Sequence, residues 1–283
     1  MKICANYKDE RKAFLSLIEP NCKNRIILFT GQSGMGKTHL IEACRKDVCK
    51  PVYFLPFQFR DTAVGIAEIF WRTGDCIGWK NLPVFTEKIS ELNKAIVNIK
   101  GNTIIGINNQ ISVILQVEYR EAREELQAAL TSALFEDLRK LKQSLLIVID
   151  TYEDGASEVK KWISGPFLMR VANTENVRVR VAIAGQEVPK SDIEWGHCCN
   201  KHELDGVTKG RYWLPVVKAL NREVPEEPAK TFLAGICYAF DGNPMSIMNK
   251  ITGFSKLKSS NSLKKMGKSL ILNFKKLCDI SGY

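Results

Sequence analysis

The clearest chemistry in this chain lies in Gly31-Gln32-Ser33-Gly34-Met35-Gly36-Lys37-Thr38. It matches the pattern G-x-x-x-x-G-K-[ST] at every fixed position. Glycines carry no Cβ, so successive backbone N–H groups can converge on phosphate oxygens. Lys37 can reach the outer phosphates of a nucleotide, and the Thr38 hydroxyl can ligate Mg²⁺. His39 lies in the first turn of the helix that follows, whose N-terminal dipole favours an anion. The same pattern can be a glycine-rich turn that binds nothing, but its flanks speak against that. Ile26 to Thr30 reads as a buried strand, and His39 to Lys46 as a helix with Leu40, Ile41 and Cys44 on one side.

A second centre lies more than a hundred residues on. Ser144 to Asp150, SLLIVID, is an apolar run ending in a carboxylate. Such a run must be covered on both faces, as in a parallel sheet. Asp150 is placed to hold Mg²⁺ through water, and Glu153 to orient an attacking water or take its proton. The plainer alternatives are that Asp150 caps a turn and that Glu153 is a surface residue. Between Trp195 and His202, His197, Cys198, Cys199 and His202 invite a zinc reading. Adjacent cysteines fit zinc spacing poorly, so buried or loop thiols are the preferred assignment.

These residues need a frame. Tyr7 to Ile18 reads as an amphipathic helix, and Pro51 to Leu55 as a strand stopped by Pro56. Helices are expected over Thr62–Trp71, Pro83–Ile99, Tyr119–Lys142 and Ser157–Ala172, with Trp71, Trp79 and Phe85 as core aromatics. Gly101 to Val117 fits a strand-like ribbon or a long insertion loop equally. Val177 to Ala184 is a further strand, and Lys201 to Gly206 a last short one. Strands alternating with helices indicate an α/β fold with a parallel sheet. Ligands in such sheets bind at the carboxyl ends of the strands, where Gly31, Asp150 and Gly185 fall. The expected domains are a nucleotide-binding α/β domain over 1–193, a helical lid over 194–253 and a basic segment over 254–283. In the lid, helices are read over Thr208–Asn221, Pro225–Phe240 and from Met245, after a break at Asp241–Pro244.

Taken together, the loop, the Asp150-Thr-Tyr-Glu153 strand end, the Tyr7-x-Asp9-Glu10-Arg11 lead-in, the strand ending in Gly185 and Gly242-Asn243-Pro244 resemble the STAND class of P-loop ATPases. That class is related to AAA+ proteins and includes the NACHT and NB-ARC switches. The resemblance covers roughly residues 5 to 253. It implies an AAA-like sheet with the Asp150 strand close to the loop strand, and ATP or ADP with Mg²⁺ as ligands. It also implies that Pro244 packs on adenine and that a lid closes over the nucleotide. The family often has Gly-Arg after the fourth strand, whereas this chain has Gly185-Gln186; Arg178, Arg180 and Arg211 are weak candidates to supply the missing charge. The family's winged-helix domain and sensor repeats find little room, so the chain reads as a fragment or as a minimal member.

Composition narrows the rest. Apolar residues make up 45% and charged residues 25%, as in ordinary globular domains. No apolar run is long enough to span a membrane, and MKICANYKDER becomes charged too early for a signal peptide. Nine unpatterned cysteines point to reduced thiols in a cytoplasm. The net charge of +10 resides mainly after Phe254, where seven Lys face one Asp. That segment could meet nucleic acid, acidic lipid or an acidic partner, or be a solvated terminus. The expected function is a slowly hydrolysing ATP switch that controls a protein partner or its own oligomerisation. The alternatives are a nucleic-acid-dependent AAA-like ATPase and a nucleotide binder with little hydrolysis; a small-molecule kinase fits less well.

Overall fold

The computed structural model describes residues 6–19, 21–60, 64–100, 106–225 and 227–256. Most of the basic segment after Phe254, and its assignment as tail or nucleic-acid contact, lies outside them. The chain divides into two compact units between Asp205 and Gly206, later in sequence than the expected boundary at 193/194.

The first unit is built on five parallel strands: β1 (Ile26–Thr30), β2 (Val52–Gln58), β3 (Ser144–Asp150), β4 (Val179–Gly185) and β5 (Cys199–Glu203). Their spatial order is β2-β3-β4-β1-β5, and every pairing is parallel. β4 therefore stands between the loop strand and the Asp150 strand. Every residue of β4 is buried, as is all of β3 after Ser144, which explains their unbroken apolar character. β5 pairs with β1, and this keeps residues 199–203 with the sheet rather than with the helices that follow. β2 runs through Pro56 to Gln58 instead of stopping at Leu55. Among the described residues it has a neighbour on one side only, and an edge strand tolerates a residue with no N–H to donate.

The helices are α1 (Lys8–Leu17), α2 (Lys37–Asp47), α3 (Ile66–Ile77), α4 (Pro83–Lys100), α5 (Ile107–Leu115), α6 (Arg120–Leu138), α7 (Ser157–Trp162), α8 (Leu168–Asn173) and α9 (Ile193–Gly196). α5 corrects the ribbon-or-loop expectation: Ile111, Ile114 and Leu115 are its buried side, at helical rather than strand spacing. The helix expected over Ser157–Ala172 is interrupted by a π-helical turn at Ile163–Phe167 that contains Pro166. Proline has no N–H for the regular ladder, and the wider turn accommodates it. Phe85 is fully buried, with Phe70 at 5.5 Å and Trp79 stacked at 6.4 Å between ring centroids.

The second unit contains α10 (Leu214–Ala219), α11 (Ala229–Ala239) and α12 (Pro244–Thr252). Trp213, Val216, Leu233, Cys237, Ile247 and Ile251 are buried. The Asn243 side chain accepts from the N–H groups of Met245 and Ser246, both at 3.1 Å. Pro244 follows as the first helical residue, a position where its missing N–H costs nothing.

One buried carboxylate ties two helices of the first unit together. Asp137 on α6 is fully buried, and its Oδ2 accepts from Phe85 N in the first turn of α4 at 2.9 Å. This is a helix cap supplied from another helix. Asp137→Ala should lower stability by about 1–3 kcal/mol, read as a fall in denaturation midpoint at unchanged slope; an unaltered midpoint would rule out the cap.

Candidate functional site

The loop owes its shape to two glycines in the left-handed region, Gly34 at φ 83° and Gly36 at φ 84°. A side chain at either would be strained. The ladder of α2 opens with the bond from Leu40 N to Gly36 O at 2.8 Å. The backbone N–H groups of Lys37, Thr38 and His39 thus stand outside it, as first-turn donors. The His39 side chain is exposed, so what it brings to the loop is its amide. Gln32 and Ser33 are exposed as well, while Gly34, Met35 and Gly36 are half-buried.

Lys37 is buried, and its Nζ donates to the carbonyls of Gly31 at 2.6 Å and Gln32 at 3.0 Å. Burial pulls its pKa down. Glu153 and Asp150 push it back up, and Arg60 lowers it further. The Tyr7 hydroxyl lies 2.8 Å from both Met35 O and Asp205 O, sharing one hydrogen between them. The first residue of the lead-in segment thereby buttresses the loop.

Loop and distant carboxylate meet directly. Thr38 Oγ1 donates to Asp150 Oδ2 at 2.6 Å, and Thr151 N donates to Asp150 Oδ1 at 2.9 Å. Burial is the largest influence on Asp150 and raises its pKa; the bonds from Thr38 and Thr151 oppose it. A hydroxyl beside a carboxylate is a hard-oxygen pair suited to Mg²⁺, which keeps several waters and takes few protein ligands. These residues fit the metal that the loop pattern implies.

Glu153 sits in a 3₁₀ turn, Tyr152–Asp154, that follows β3. Its Oε2 accepts from Gln186 N at 2.9 Å. A Cβ at Gly185 would collide with the Glu187 backbone oxygen as well as with that carboxylate oxygen, so the approach requires glycine. Gln186 contributes its backbone here, and its side chain is exposed. Two residues that sequence reasoning passed over complete this region, Thr151 and Arg60. Thr151 adopts φ 53°, rare for a β-branched residue. Arg60 N donates to Thr151 Oγ1 at 3.0 Å.

Two other candidates of the first unit lie elsewhere. Arg180 is buried and donates to Leu17 O and Val179 O, and Arg178 donates to Lys142 O. Arg180 is in the amino-terminal half of β4, about 16 Å of strand from Gly185, and Arg178 precedes the strand, so neither replaces a cation at the loop. Arg211 and Pro244 fall in the second unit, where Arg211 lies over the Tyr212 ring. Among the described residues no group of three or more His, Cys, Asp and Glu side chains is arranged to hold a metal. Burial pushes the Cys199 thiol up to about 12, and Cys198 Sγ bonds Trp195 O at 3.3 Å. No described helix is long and apolar enough to cross a membrane.

Loop, buried parallel sheet and carboxylate at the next strand but one together decide the fold. It is that of a P-loop NTPase. No protein-family model matches this sequence, and no curated protein does. Among solved structures, the chain is similar to a signal transduction ATPase with numerous domains (STAND) with a tetratricopeptide repeat sensor from Pyrococcus horikoshii. The TM-score is 0.50 at 15% identity, over 94% of this chain and 32% of that one. It is also similar to a Walker-type ATPase of Pyrococcus abyssi, with TM-score 0.49 at 12% identity, over 98% of this chain and 76% of that one. At such identities the likeness concerns fold. The chain spans about a third of the P. horikoshii protein.

The raised pKa of Asp150 has a thermodynamic sign. The native state holds this proton more tightly than the unfolded chain, whose carboxylate titrates near pH 4. The group therefore favours the fold at low pH, and that contribution is lost as pH rises through the elevated native value. The melting temperature of the wild type minus that of Asp150→Asn should fall between about pH 4 and neutrality; a flat or rising difference in thermal melts contradicts this.

Proposed function

We propose that the chain binds ATP with Mg²⁺ in this loop and acts as a slowly hydrolysing switch of the STAND type. The observation that carries the reading is the 2.6 Å bond between the Thr38 hydroxyl and the Asp150 carboxylate. It joins the phosphate loop to the end of a strand more than a hundred residues away. The backbone amides of the loop would bind the β- and γ-phosphates, and Lys37 would turn from the Gly31 and Gln32 carbonyls toward them. Thr38 and Asp150 would hold Mg²⁺, which supplies charge neutralisation to the phosphates. Glu153, on the adjacent turn, would accept a proton from water. Adenine over guanine follows from the family resemblance alone, as does the role of Pro244 as an adenine contact. In this reading the helical segment around α10 to α12 is the lid, whose orientation responds to the γ-phosphate. The output is assembly or release of a protein partner rather than a chemical product.

Two substitutions test it by titration calorimetry and phosphate release. Lys37→Ala should weaken ATP binding by about 10- to 100-fold, and undiminished affinity refutes the site. Glu153→Gln should preserve ATP affinity and slow hydrolysis by about 100-fold or more; unchanged turnover removes Glu153 from its role.

A further inference from the structure

The proposed nucleotide site gathers two carboxylates, Asp150 and Glu153, around one ammonium, Lys37. A bound triphosphate would add more negative charge than one lysine and one divalent ion offset. A further cation placed at the carboxyl ends of the strands would lower that cost. Arg178 and Arg180 lie at the opposite ends, as shown above.

Arg60 is where such a cation is needed. Gln58 is in register with Asp150, Phe59 N donates to Asp150 O at 3.1 Å, and Arg60 N donates to Thr151 Oγ1 at 3.0 Å. The Phe59 and Tyr152 rings stack at 6.5 Å. The backbone of Arg60 is thereby locked beside the turn that carries Glu153. Its guanidinium is less constrained. Nε lies 3.4 Å from Asp154 Oδ2, and the side chain is 60% exposed. Exposed pairs of this kind contribute little, so the guanidinium can change partners at small cost. Its charge is already felt at Lys37.

We infer that Arg60 is a γ-phosphate-specific contact of this site, held in reserve by Asp154 and released to the triphosphate. This rests on the nucleotide reading above. It makes Arg60 the residue that distinguishes ATP from ADP, and Asp154 its competitor.

The experiment compares affinities for ADP and for a non-hydrolysable ATP analogue, each with Mg²⁺, by titration calorimetry. Arg60→Gln should weaken the analogue about tenfold, as expected for one lost charge-assisted phosphate contact, and leave ADP within about twofold. Asp154→Asn, with Arg60 intact, should tighten the analogue relative to ADP. An unchanged ratio in Arg60→Gln, or equal weakening of both ligands, overturns the inference while leaving the site standing. If Arg60→Gln does not fold, an unchanged ratio in Asp154→Asn overturns it alone. Wild-type protein that binds neither ligand removes the nucleotide reading and the inference with it.

Discussion

The site rests on a single hydrogen bond, from Thr38 Oγ1 to Asp150 Oδ2. It exists because two strands far apart in sequence run parallel with only β4 between them. Register sets it: Thr30 lies opposite Gly185, and Ile149 opposite Ile183. A slip of one residue on either side of β4 would turn every buried side chain of that strand to the wrong face. Apolar packing of the sheet thus determines where the carboxylate sits, and the hydrogen bond reports that the placement is right. Bonds to a charged group are worth about 1.5–3 kcal/mol. Burial of the carboxylate outweighs the bonds from Thr38 and Thr151, so its pKa is raised on balance.

The turn after Asp150 shows where strain is tolerated. Thr151 is held at φ 53°, a conformation that costs of order 1–3 kcal/mol at a β-branched residue. Its hydroxyl donates to Asp150 O at 2.8 Å and accepts from Arg60 N, and its amide supports Asp150 Oδ1. With the chain bent there, the 3₁₀ turn carries Glu153 to Gln186 N. The strained residue therefore positions both carboxylates at once.

Much of this was legible in the sequence because it is local or periodic. The loop pattern, the run from Ser144 to Asp150 and the strand near Val179 are short-range signals, and each marks an element the structure contains. The parts that were not legible depend on distant partners. Asp137 and Arg60 have no periodicity to betray them, and the part Tyr7 plays at the loop is no plainer; each is defined by bonds to residues dozens of positions away. Pro56 misled for a related reason, since only the strand order reveals that β2 lies at an edge. In the described part of Gly101–Val117, from Gly106 on, the alternation of apolar residues mimics a strand, although the buried set follows the helical period.

The charged side chains around the loop are bonded within the protein. Lys37 Nζ is bonded to the Gly31 and Gln32 carbonyls, and Glu153 to a backbone amide. In the proposed binding, an anion entering the cradle would break the lysine's bonds, which offsets part of the Coulombic gain. It also relieves a buried ammonium whose charged form burial disfavours. These two effects oppose each other, and the second grows as water is excluded from the site.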